Sequence, residues 1–203
     1  MSVSMAIVDF IPVILFLIAA VLIQRGLYKQ MSKGAFALLS AGTIMVFCAG
    51  FMKALWKLLY AMNLCDFERL NQTFFPMQAL GFLLAGISIA ALLFFPQEKE
   101  TLLAAGAPAV FGGTMVFVSM MVLGCFSFSG GLGVYALRQK KTKAAVLFWA
   151  AFLFMMAMGY LSSRDFTKVS MNWIAECVNL AGQLLLLFAS IEVFKASREV
   201  FKK

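Results

Sequence analysis

The sequence predicts an all-α protein, a polytopic bundle of membrane-spanning helices. Three observations carry that expectation. Of 203 residues, 63% are hydrophobic and only 13% charged, against roughly half apolar and a quarter charged in soluble domains. The mean hydropathy is +0.94. The charges fall in short breaks between long apolar runs, as in helical membrane proteins; the short alternating segments of an outer-membrane barrel are absent.

The first run, about Ala6 to Leu27, is long enough to span. Asp9 and Pro12 lie in its first turns, and Arg25, Lys29 and Lys33 close it. It reads as a span rather than a signal peptide, because a basic n-region is missing and Asp9 comes early. The second span runs from about Ala35 to Tyr60. Lys53 and Lys57 share one face of its far end, beside the interfacial aromatics Trp56 and Tyr60. A polar loop follows, Asn63 to Arg69. The third span, about Asn71 to Phe95, carries Asn71 and Gln78 in its first half, and Pro96 ends it.

Thr101 to Leu137 is a run of 37 residues without a charge. One helix of that length would be about 55 Å long, against a hydrocarbon core of about 30 Å. Pro108 and Gly112-Gly113 offer a break. We expect a short linker helix over about 101–116, then a full span to Leu137. Further spans are expected over about Ala144 to Leu161 and Ser170 to Phe194, with a basic tail over 196–203.

The segment beginning N-Q-T-F-F-P-M-Q-A-L-G at Asn71 aligns with N-W-I-A-E-C-V-N-L-A-G at Asn172. The basic loop from Tyr28 to Lys33 resembles that from Arg138 to Lys143. These matches suggest an internal duplication, about 6–95 against about 117–195. With a linker helix between them, the chain has seven spans and parallel halves; without it, six spans and inverted halves. Charge favours seven. In that arrangement twelve of the 17 Lys and Arg collect on one side: Arg25, Lys29, Lys33, Lys99, Arg138, Lys140, Lys141, Lys143, Lys195, Arg198, Lys202 and Lys203. By the positive-inside rule the N-terminus is then outside, the C-terminus cytoplasmic, and the protein sits in the cell membrane. The three-plus-one-plus-three order is similar in topology to sugar-transporting SWEET proteins and to microbial rhodopsins. However, Pro96-Gln97 stands at the end of a span rather than in the SWEET position, and the last span has no mid-helix lysine to hold retinal. No family is assigned.

The last span holds the chemistry. Asn172, Glu176, Asn179 and Gln183 step by four, three and four, which lines them up on one helix face. A carboxylate and three amides facing lipid are costly, so this face meets protein, water or a ligand. In the seven-span order, Lys53 lies about 27 Å from the inner start of its helix and Glu176 about 9 Å below the outer start of its own. Asn71, Gln78, Asn172 and Asn179 fall in the same outer half, as does Asp9.

The candidate ligand-binding residues are therefore Glu176, Lys53, Asn172, Asn179, Gln183, Asn71 and Gln78. The structural alternatives are snorkelling for Lys53 and Lys57, interhelical bonding for the amides, and an acid paired to Lys53 for Glu176. With no histidine, no paired cysteine motif and no nucleophile or phosphate-binding signature, neither catalysis, a metal nor a cofactor is expected. The +8 formal charge sits at helix ends and points to lipid headgroups rather than nucleic acid. The expected partners are the bilayer and a small-molecule ligand, with a second copy or another membrane subunit as a further candidate. The expected function is binding, and transport, of a small solute in an outward-facing polar pocket. The alternatives are ligand sensing without transport, or a structural membrane subunit.

Overall fold

A computed structural model describes residues 3–95, 114–162 and 169–200. Among these residues are six helices long and apolar enough to cross a membrane. We name them α1 (Val3–Leu27), α2 (Lys33–Ala61), α3 (Glu68–Phe94), α4 (Met115–Arg138), α5 (Thr142–Ser162) and α6 (Val169–Val200). The expected linker helix over 101–116 lies outside the described residues except at its end. There the helical turns leading into α4 begin at Thr114, one residue before the span itself and ahead of the boundary expected at 117.

Each helix separates a buried stripe from a lipid-facing one. In α1, Met5, Asp9, Pro12, Phe16, Ala19 and Ile23 are buried at helical spacing. Ile7, Ile11, Ile14 and Ile18 are exposed on the other face, as a helix in lipid requires. Pro12 has no N–H to give the carbonyl of Val8, and the regular helix is interrupted at Asp9. α4 contains a π-helical turn, Phe126–Gly130. The Ser129 hydroxyl within it donates to the Phe148 carbonyl of α5 at 2.8 Å.

Each helix packs on the next, and α6 returns to α1. Apolar side chains gain little by leaving lipid for one another, so close backbone approach at small residues carries the packing. A methyl group at Gly42 of α2 would lie 2.5 Å from the Gly81 carbonyl oxygen and 2.6 Å from the Ala85 nitrogen of α3. One at Gly124 of α4 would lie 2.5 Å from the Leu83 nitrogen of α3. The Gly81-x-x-x-Ala85 spacing thus marks an actual interface. Phe16, Phe82 and Phe128, from α1, α3 and α4, meet at the centre, the first pair edge-to-face and the second tilted, with centroids 6.2 and 6.1 Å apart.

The directions of the helices decide what can meet. α2 and α3 are antiparallel: Ser88 Oγ donates to the Ala35 carbonyl at 2.7 Å, while Lys53 lies over Phe74. α3 and α4 are parallel. Gly124 meets Phe82 and Leu83, Gly131 meets Ile89, and Arg138 Nη1 donates to the Leu93 carbonyl at 2.7 Å. α1 and α6 are also parallel. Gly26 packs on Phe194 and its carbonyl accepts from Ser197 Oγ at 2.9 Å, while Asp9 and Glu176 adjoin at the other end.

Candidate functional site

At the end of the bundle where α1 begins, the buried stripes of α1, α2 and α6 each finish in charge. Asp9 follows Met5 on the inward face of α1. Lys53 continues the inward line of Leu39, Val46 and Ala49 on α2, with Lys57 one turn on. Glu176 heads the buried line of α6 that continues through Gly182, Leu186, Ser190 and Val193. Helical periodicity aims all four inward.

Asp9 and Lys57 form an ion pair that ties α1 to α2. The Asp9 side chain is 5% exposed and that of Lys57 22%, so this pair lies largely out of solvent. The Glu176 carboxyl adjoins that of Asp9, with Lys57 and Lys53 as the neighbouring cations. Glu176 is 7% exposed, and its Oε1 is buried without a hydrogen-bond donor among the described residues, as is Gln183 Oε1. Two carboxyl groups in contact satisfy each other only by sharing a proton, one donating to the other. Buried oxygens of this kind demand a donor or a cation. Lys53 finds no carboxylate within ion-pair distance among the described residues; its Nζ sits 4.0 Å from the centroid of the Phe74 ring on α3.

Of the expected site residues, the structure brings Glu176 and Lys53 to one place. Gln183 lies two turns deeper on the same stripe, with its oxygen buried. Asn179 lies between them, partly buried. Asn172 has a partner of its own. Asn71 and Gln78 are partly buried on α3 and make no hydrogen bond to the cluster among the described residues. Lys53 and Lys57 turn inward, to Phe74 and Asp9, rather than out to the interface. The base held in an ion pair is Lys57, and its acid is Asp9. Both were absent from the expected site. The available signal was Asp9's place on the Met5–Pro12–Phe16 stripe.

Among the described residues no group of three His, Cys, Asp or Glu side chains could hold a metal ion. Cys125 is buried, and Cys177 is exposed on the outer face of α6. No protein-family model, curated protein or solved structure matches the chain.

Proposed function

We propose that this is a multi-pass protein of the cell membrane that binds a small solute, with polar and apolar parts, at the charged cluster and carries it across. One observation carries the reading. Asp9, Lys53, Lys57 and Glu176 converge from three apolar helices, with the two carboxyl groups in contact and largely out of solvent. Placing ionisable groups at membrane depth is costly, and they are retained there where they handle a solute or ion. Glu176 and Lys53 are the charged contacts, and Asn179 and Gln183 line the way inward.

The cluster opens to the outside in this reading. The opposite end of the bundle holds Arg25, Lys29, Lys33, Arg138, Lys140, Lys141, Lys143 and Lys195, which the positive-inside rule assigns to the cytoplasm. Seven crossings fit the helix directions. α3 and α4 run parallel, as the third and fifth of seven crossings would. Duplication fits as well. The order α1–α2–α3 recurs as α4–α5–α6, and the two junctions, α3 with α4 and α6 with α1, are both parallel. That is the pattern of repeats related by an axis along the membrane normal.

The test is a thermal-stability screen of the purified full chain against small solutes, followed by uptake of each hit into proteoliposomes. A hit is expected to be taken up, and both signals to be lost in Glu176→Gln. Binding without uptake favours a sensing module. A screen without hits favours a structural subunit.

A further inference from the structure

Two acids meet where the first and last helices lie side by side. α1 and α6 are parallel, and Gly26 of α1 rests on Phe194 of α6. At 1.5 Å per residue, Asp9 stands about 26 Å along α1 from that contact and Glu176 about 27 Å along α6. Both residues are buried, at 6% and 7% exposure. Helix register and burial thus set the two acids at one level, and their carboxyl groups are in hydrogen-bond contact.

Among the described residues a single cation is paired to these acids. Lys57 of α2 holds Asp9, while Lys53 of α2 lies over the Phe74 ring. α5, the other neighbour of α6, brings only Tyr160 to this end, and Glu68 and Arg69 at the start of α3 are exposed. Two carboxylates in contact, out of water and with one counter-ion, cannot both stay ionised, so one keeps a proton and donates it to the other. Glu176 Oε1 points the same way: it is buried with no donor among the described residues, so it needs a hydrogen that the packing does not supply.

We propose that Asp9 and Glu176 form a proton-binding site, and that the bound proton latches α6 to α1 at this end of the bundle. The site stands apart from the solute reading and holds whether or not a solute is carried. With the proton in place, Asp9, Glu176 and Lys57 are together neutral, and the O–H of one acid bridges to the other. When that O–H bond breaks, its electron pair stays on the carboxylate. The proton passes to water, which reaches the edge of the cluster where the Lys57 side chain is 22% exposed. Two carboxylates then face one ammonium, and their repulsion acts across the seam between α1 and α6. The other end of the seam is held by contacts that do not titrate, Gly26 on Phe194 and the Ser197 hydroxyl on the Gly26 carbonyl. Loss of the proton therefore loosens one end of the seam and leaves the other closed.

Infrared spectra of the full chain in lipid nanodiscs read the proton directly, because the carbonyl stretch of a protonated carboxylic acid is separate from the carboxylate bands. At neutral pH the parent should show this stretch, and it should shift in D2O. Glu176→Gln should remove it, and Asp9→Asn should move or remove it. Glu192→Gln, on the acid beside Lys195 at the opposite end, should leave it unchanged. Equilibrium unfolding in mixed micelles reads the latch. An unfolded glutamate has released its proton above about pH 4.3, whereas the folded pair still holds one, so stability falls as the pH rises. From about pH 5 upward the unfolding constant of the parent should rise, relative to that of Glu176→Gln, by up to about tenfold per pH unit. The Gln amide donates to Asp9 without titrating, so this variant stands in for the protonated pair.

A parent spectrum without the acid stretch overturns the proposal, as does a stretch untouched by both Glu176→Gln and Asp9→Asn. Parallel pH profiles for the parent and Glu176→Gln overturn the latch. Should Glu176→Gln not fold, the parent stretch and its response to Asp9→Asn decide. Neither readout needs a solute, so a failed solute screen and a failed test of the proton site are separate results.

Discussion

The Asp9–Lys57 pair makes an asymmetric prediction. Lys57→Met leaves Asp9 behind with a 5% exposed side chain and without the cation it is paired to. Asp9 is short and cannot reach the interface, and its other neighbour is the Glu176 carboxyl. Removing one partner of a buried ion pair in this way costs about 3–5 kcal/mol. Asp9→Asn leaves the opposite orphan, but Lys57 is long, 22% exposed and able to turn its ammonium outward. The new amide can also donate to Glu176. We therefore expect a smaller loss, about 1–2 kcal/mol. The double variant removes both charges and should be less damaged than the two single losses imply, with a coupling of about 2 kcal/mol. Equilibrium unfolding in mixed micelles, titrated with a denaturing detergent, gives all four corners of the cycle. Additive losses, or a larger loss in Asp9→Asn than in Lys57→Met, would show that the pair does not hold α1 to α2.

Other outcomes test the packing and the orientation. Gly42→Ala places a methyl 2.5 Å from the Gly81 carbonyl oxygen and 2.6 Å from the Ala85 nitrogen. Both are backbone atoms that cannot swing aside, so the same unfolding assay should show a loss of about 1–3 kcal/mol or more. Gly34→Ala, with nothing within 4 Å, should stay within about 0.5 kcal/mol of the parent. Ser88→Ala forfeits the 2.7 Å bond to the Ala35 carbonyl and should cost about 0.6–1.7 kcal/mol. In intact cells, exposed Cys65 should react with a membrane-impermeant maleimide while a reporter at the C-terminus stays cytoplasmic. The opposite pattern reverses the orientation.

Apolar runs and their breaks were enough to place the helices, because a membrane span must satisfy its own backbone and present apolar side chains to lipid. Both demands are local, so they are written in consecutive residues. All six described helices begin and end within a few residues of the positions read from composition, except that α6 runs on to Val200. The polar stripe of α6 was legible for the same reason: its spacing is a property of one helix.

Which side chains meet across helices is not local, and only the tertiary structure decided it. The sequence placed Lys53 and Lys57 together on one face but left open whether they reach out to headgroups or turn in. That choice depends on Asp9 and Phe74, which belong to other helices. The sequence placed Asp9 in the same outer half as Lys53 and Glu176, but only the packing of α2 on α1 made it the partner of Lys57. The parallel course of α3 beside α4 is likewise set by where Gly86 and Gly124 let two backbones approach. No periodicity within either helix encodes that contact, because its energy comes from the fit between two surfaces brought together by the whole bundle.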